Sequence, residues 1–244
     1  MSSEQKTALL VVSLSSFIMP LMLSSVNVAI PSIAASMHAE ALLLSWISTA
    51  YLLTSAVFLL PFGKLADIVG RKKIYLTGMF VVTLASLCAA GAQSVIQLIA
   101  WRVMQGLGAA MLFSTGVAIL SSVYFGLTCG PLFGGWLTQH FSWRSVFIVH
   151  IPVAVFVIVV AWLKLEGEWR GEREQKFDFI GAVFYALSIT SLMFGLSLLP
   201  SMYSLFVLLL SALSFFSFIR YENKVANPIF ELGIFRHNRI LTFS

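Results

Sequence analysis

The chain has 244 residues, of which 59% are hydrophobic and only 10% charged, and its mean hydropathy is +0.94. Soluble domains are usually about half apolar and about a quarter charged, so a water-exposed globule is excluded and the solvent must be a lipid bilayer. The net charge of +5 then bears on which loops are basic, and it is no signal of nucleic-acid binding.

A span needs about 20 mostly apolar residues to cross the hydrocarbon core. Seven or eight segments qualify, at roughly 7–30, 43–63, 74–93, 98–121, 125–140, 145–163, 179–199 and 203–219. The expected fold is an all-α membrane protein of about eight transmembrane helices. The first apolar stretch, from Thr7 to Ile33, is longer than the roughly 7–15 residues of a signal-peptide core and reads as a retained span.

Between spans 2 and 3 lies Gly63-Lys64-Leu65-Ala66-Asp67-Ile68-Val69-Gly70-Arg71-Lys72-Lys73. Gly63 would let a neighbouring helix approach closely, and Gly70 would permit a sharp turn. Asp67 is four residues from Arg71, a spacing that suits a charge pair. The plain alternative is an ordinary basic loop, which a lone acid between two glycines makes the weaker reading.

Span 4 opens Trp101-Arg102-Val103-Met104-Gln105-Gly106-Leu107-Gly108. An arginine at membrane depth faces the bundle interior or a wet cavity, unless it snorkels to the headgroups. Gln105 is one turn further on and shares its face. From Val103 to Gln139 no residue carries a formal charge. That stretch is about 55 Å of helix, barely enough for two spans, so a tight turn is expected near Ser121–Gly126.

In span 5, Gly126, Gly130 and Gly134 recur every four residues, with Pro131 and Gly135 beside them. Such a stripe allows backbone-to-backbone packing, and the proline favours a bend; whether the stripe moves is left open. His150 in span 6 is either a proton-relay candidate or a neutral, hydrogen-bonded histidine. Cys88 and Cys129 fall in apolar runs without metal or disulfide spacing and read as buried thiols. The chain stops just as a new apolar run begins at Ile240, so it looks cut mid-protein.

Basic residues orient the layout. With the N-terminus in the cytoplasm and strict alternation, 13 of the 15 Lys and Arg residues lie inside, and only Arg102 and Arg144 fall at outer ends. That follows the positive-inside rule. The expected division is a six-span bundle over 1–163 (spans 4–5 shortened near 121–126), a cytoplasmic loop over 164–178 and two additional helices over 179–219. A cytoplasmic linker over 220–239 and the start of a further span at 240–244 complete it.

These three motifs, in this order, resemble the major facilitator superfamily. The loop matches its signature between spans 2 and 3, Arg102-x-x-Gln105-Gly106 its span-4 pattern, and Gly130-Pro131-x-x-Gly134-Gly135 the span-5 pattern of its exporters. Val26-Asn27-Val28-Ala29-Ile30-Pro31, the Trp143-Arg144 segment and the two extra helices look like the 14-span drug:proton antiporter branch. The resemblance implies the N-terminal half of such a transporter plus its linker helices, with the C-terminal half as a missing partner.

It further implies substrate near the bilayer midplane, with cavity groups from Ser24, Ser25, Asn27, Gln105 and His150 organised by Arg102. Asp67 and Arg71 would latch the inner gate. The implied partners are the lipid bilayer, a small, largely apolar organic substrate, and protons as coupling ion. Three departures stand against the pattern. Met22 occupies the position where span 1 often carries an aspartate, His150 replaces a usual asparagine, and the linking segment between spans 4 and 5 is short.

No Asp or Glu lies inside any span, so this half offers no intramembrane carboxylate for proton coupling. The other class is a truncated membrane remnant or scaffold that does not transport. No metal-ligand cluster, phosphate loop or cofactor fingerprint is present, nor a filter-like sequence; the expectation is no enzyme, no cofactor and no metal.

Overall fold

The computed structural model describes residues 3–115, 120–165, 177–225 and 228–230. The described secondary structure is helical throughout: α1 Ser3–Met37, α2 Ala41–Val69, α3 Arg71–Ala90, α4 Val95–Thr115, α5 Leu120–His140, α6 Ser145–Ile148, α7 Ile151–Lys164, α8 Phe179–Ser197 and α9 Met202–Glu222. Seven segments, with α6 and α7 taken together, are long and apolar enough to cross a membrane. Helix α5 matches them in length but falls short in apolarity, and it runs along α1. Large apolar side chains such as Phe80, Leu132, Trp162, Phe179, Tyr203 and Phe206 are exposed around the outside, as a bilayer solvent allows.

Several boundaries differ from the sequence expectation. The segment over 64–73 is not a loop. Helix α2 continues to Val69, a single residue turns the chain, and α3 starts at Arg71. A helix satisfies its own backbone polar groups, so nothing forces it to end where its apolar residues do. Gly70 makes the abrupt turn with φ 123°, a region where a Cβ is strained.

The turn expected near Ser121–Gly126 is not found there. Residues 120–140 form one helix and α4 ends at Thr115; residues 116–119 lie outside the described residues. The basic residues Arg170, Arg173 and Lys176 and the run from Ile240 lie outside them as well. Span 6 is broken at Val149 and His150 into α6 and α7, with Pro152 in the first turn of α7, where its missing N–H costs nothing.

Packing follows small residues. Methyl groups at Gly106 and Gly108 of α4 would meet Tyr51 O of α2 at 2.6 Å and Gly78 O of α3 at 2.8 Å, so α4 is clasped by α2 and α3 at backbone distance. Helix α1 lies against α5 in the same way. A methyl at Gly130 would sit 2.5 Å from Ser24 Cβ, and one at Gly134 would sit 2.6 Å from Ser25 Cα.

Pro131 has no N–H, which leaves the carbonyl of Leu127 without its helical partner. The Ser24 hydroxyl donates to that carbonyl at 3.0 Å, and Ser25 donates to Gly130 O at 2.8 Å. Helix α7 closes the bundle against α1 and α3, and the Lys72 ammonium donates to Leu165 O just beyond its end.

The two additional helices form a pair. Ser211 donates to Ser188 O at 2.9 Å, and Gly195 faces Leu208. The pair joins the bundle through α2, where Tyr185 donates to Ala56 O at 3.1 Å and Trp46 packs on Phe194 at 4.9 Å.

The glycine contacts separate two positions that look alike in sequence. Gly134→Ala pushes a methyl into the α1 backbone and is expected to cost about 1–3 kcal/mol, the usual range for overpacking. Gly135→Ala meets only Val28 Cγ1 at 3.8 Å and is expected to be neutral or to gain up to about 1 kcal/mol of helix propensity. Thermal unfolding of both variants in detergent measures the difference.

Candidate functional site

The strongest polar feature is built around Arg102 on α4. Its side chain is completely buried, and it is held inside the bundle instead of snorkelling. Nε donates to the Ile47 carbonyl of α2 at 3.0 Å, and Nη1 donates to Gln105 Oε1 at 2.8 Å. The guanidinium also lies over the Tyr51 ring, 4.3 Å from its centroid. Among the described residues no carboxylate touches it, and Nη2 has no hydrogen-bond partner. A buried charge without a counter-ion is costly; here an amide oxygen, a main-chain carbonyl and a π-face together carry the compensation.

The network continues through Gln105. Because its Oε1 accepts from Arg102, its amide nitrogen must donate, and it does so to Ser86 Oγ of α3 at 2.7 Å. Besides the weak Met22 sulfur, the Ser86 hydroxyl then has one proton and two strong acceptors in reach, Val82 O at 2.7 Å and His150 Nε2 at 2.9 Å. The other ring nitrogen of His150 faces Val146 O at 3.3 Å.

Two proton arrangements therefore fit one set of heavy atoms. With the ring proton on Nδ1, His150 donates to Val146 O and accepts from Ser86. With a proton on Nε2, His150 donates to Ser86, and Ser86 donates to Val82 O. Arg102, Gln105, Ser86 and His150 form a continuous hydrogen-bonded line from α4 through α3 to the α6–α7 break.

Met22 of α1 sits in this line. Its sulfur is 3.7 Å from Gln105 Nε2 and 4.0 Å from Ser86 Oγ. The position where the resemblance implies an aspartate is thus beside the network, filled by a thioether that accepts only weakly.

The other sequence candidates separate into different places. Ser24 and Ser25 use their hydroxyls on the backbone of α5 and act first as packing groups. Asn27 is exposed and accepts from Ser48 of α2; it does not reach the Arg102 line. Asp67 and Arg71 form an ion pair at 3.0 Å, with side chains 41% and 49% exposed. The pair spans the Gly70 turn, joining the end of α2 to the start of α3.

Gly63 does not provide close approach, since a methyl there would meet only Ser114 Cβ at 3.8 Å. Gly126, Gly130 and Gly134 all face α1. Pro131 lies on the exposed side of α5, as Gly135 does less fully.

Sequence reading missed Ser86, Tyr51 and Gly78. Ser86 and Tyr51 are each one of several polar residues in α3 and α2, so nothing in the sequence singled them out. Gly78 lies alone in α3, and only its approach to Gly108 reveals its role. No group of three or more His, Cys, Asp or Glu able to hold a metal occurs among the described residues.

Comparison with known proteins agrees with this architecture. The family model of the Major Facilitator Superfamily matches residues 12–227. The multidrug resistance protein Stp of Mycobacterium tuberculosis is 30% identical over 97% of this chain and 48% of its own length. The tetracenomycin C resistance and export protein of Streptomyces glaucescens is 31% identical over 86% of this chain and 43% of its own length. The riboflavin transporter RibZ of Clostridioides difficile is 29% identical over 78% of this chain and 45% of its own length. The chain spans about half the length of the curated relatives it matches. A matched stretch that covers most of the chain, an all-helical bundle and the three ordered motifs all agree: the chain belongs to the Major Facilitator Superfamily, among proteins similar to its drug transporters.

Proposed function

We propose that this chain forms part of a secondary active transporter that exports small, largely apolar organic compounds by alternating access, as an antiporter. The observation that carries the reading is the fully buried Arg102–Gln105–Ser86–His150 line in a family whose matched members include a multidrug resistance protein and a tetracenomycin C resistance and export protein. A polar network at membrane depth is costly unless it has a role.

The sparse charge of the spans favours a substrate without strong negative charge. The N-terminus lies in the cytoplasm on the distribution of basic residues. A second six-span half completes the transport path.

Arg102 organises the network, and Gln105 passes its orientation to Ser86. His150 carries the coupling proton in place of the span-1 carboxylate, because protonating Nε2 needs only a turn of the Ser86 hydroxyl toward Val82 O. Asp67 and Arg71 hold the α2–α3 turn at the inner gate, and α5 moves with α1 as one unit.

The test is efflux of a lipophilic cationic dye from cells expressing the full-length transporter. Arg102→Ala is expected to lower efflux about tenfold or more, the effect of losing hydrogen bonds to a buried charged group. Asp67→Asn, which breaks a half-exposed ion pair, is expected to cost about fivefold or less. Equal and small effects of the two variants would sink the assignment of Arg102 to the transport site.

Coupling is read separately in proteoliposomes. His150→Asn is expected to keep substrate exchange across the membrane while losing transport driven by a pH gradient. Retention of gradient-driven transport would place the coupling group elsewhere.

A further inference from the structure

A second polar group is buried in the bundle, well away from the Arg102 line. Tyr75 of α3 lies eleven residues before Ser86, about 16 Å along the helix. Its phenol meets the Ser15 hydroxyl of α1. Both oxygens share a second neighbour, the Val11 carbonyl, at 2.8 Å from Ser15 Oγ and 3.3 Å from the Tyr75 phenol oxygen. Each hydroxyl has one proton. If Ser15 donates to Val11 O, Tyr75 donates to Ser15; if Tyr75 donates to Val11 O, Ser15 donates to Tyr75. Either way both protons are used within the pair, which keeps unused lone pairs.

The next residue of α1 is in the opposite condition. Ser16 is 7% exposed, and its hydroxyl has no hydrogen-bond partner among the described residues. Ser13 and Ser15 each donate to the carbonyl four residues earlier, at 2.6 and 2.8 Å; Ser16 does not. A buried hydroxyl that gives no hydrogen bond is costly.

The Ser15–Tyr75 pair and Ser16 line one cavity. It has a volume of about 10 Å³, and Met19 lies beside the three hydroxyl residues in its wall. Of its lining residues only Val12 and Phe113 are not buried, so the cavity reaches the outside between them. The space holds about one water, which needs two to four polar partners. Ser16 has a proton to give, and the Ser15–Tyr75 pair has lone pairs to receive. A metal ion fits less well, since hard cations take about six or more oxygens and none of these hydroxyls is charged.

We propose that this cavity is a water-binding site. One resident water accepts from Ser16 and donates to the Ser15–Tyr75 pair, tying α1 to α3 at a place the Arg102 line does not reach. The water exchanges with the outside past Val12 and Phe113. Holding it makes and breaks no covalent bond, and the site is independent of what the protein transports.

The test is radiolytic labelling of the full-length protein in lipid. An X-ray pulse turns bound water into hydroxyl radicals, and mass spectrometry reads the side chains they mark. Tyr75 and Met19 are 7% and 1% exposed, so bulk water hardly reaches them. Both are expected to be labelled in the wild type. Met79, buried in the same apolar cluster but outside the cavity wall, is expected to stay unlabelled. Ser16→Ala is expected to lower labelling of Tyr75 and Met19 about fivefold, the effect of losing one neutral hydrogen bond. Ser16→Val, which also fills the cavity, is expected to abolish it.

Tyr75 and Met19 as silent as Met79 in the wild type would mean a dry cavity and overturn the site, whether or not any variant folds. Labelling undiminished in Ser16→Val would place the water elsewhere. Equal labelling of Met79 would show that the bundle opens as a whole and holds no single water. Labelling that falls when sodium replaces choline in the buffer would mark a cation in the cavity instead.

Discussion

Burial of the Arg102 charge without an opposing carboxylate is the constraint on which the bundle's interior depends. A guanidinium at membrane depth has to be met by groups that cannot move away. The structure supplies a carbonyl from α2, an amide from the next turn of α4 and the face of Tyr51. Each partner fixes something further. The Ile47 carbonyl sets the height of α2 against α4, and the Tyr51 main chain must come close enough for Gly106 to have no Cβ. Gln105 is oriented by Arg102 and in turn orients Ser86, which brings α3 and the α6–α7 break into the same arrangement. One charge thus coordinates four spans.

Compensation here is dipolar, and this explains why the line tolerates rearrangement of protons. A carboxylate opposite Arg102 would lock it as an ion pair with a deep energy minimum. Neutral acceptors give shallower wells and leave Nη2 without a partner among the described residues. Met22 contributes to the same softness, since a thioether presents bulk and polarisability with little hydrogen-bonding strength.

Much of this was legible in the sequence, for identifiable reasons. The spans were readable because the bilayer demands long apolar runs, and the bundle's polar centre was readable because Arg102 and Gln105 stand out in such a run. The Asp67–Arg71 pair followed from spacing alone. Helix ends were not readable. Helices α1 and α2 run on to Met37 and Val69, since backbone hydrogen bonding continues where apolarity stops.

Ser24 and Ser25 could not be assigned either, because a serine that lines a cavity and one that donates to a neighbouring carbonyl look identical in sequence. Gly63 and Gly135 resembled the packing glycines but have room beside them. Which glycine is crowded depends on the crossing point of two helices, and no single helix encodes that. Ser15 and Tyr75 are 60 residues apart in sequence and meet only where α1 and α3 come together.

The Leu127 carbonyl left open by Pro131 has a consequence for inheritance. Its donor lies on another helix, so Pro131 and Ser24 are physically one unit written at two distant codons. Losing the serine first would leave a bare carbonyl at the exposed edge of the α1–α5 seam, whereas losing the proline first would restore the helical bond and free the serine to drift. Descendants of this chain should therefore have an asymmetric history at these two sites, with the proline surrendered before the serine.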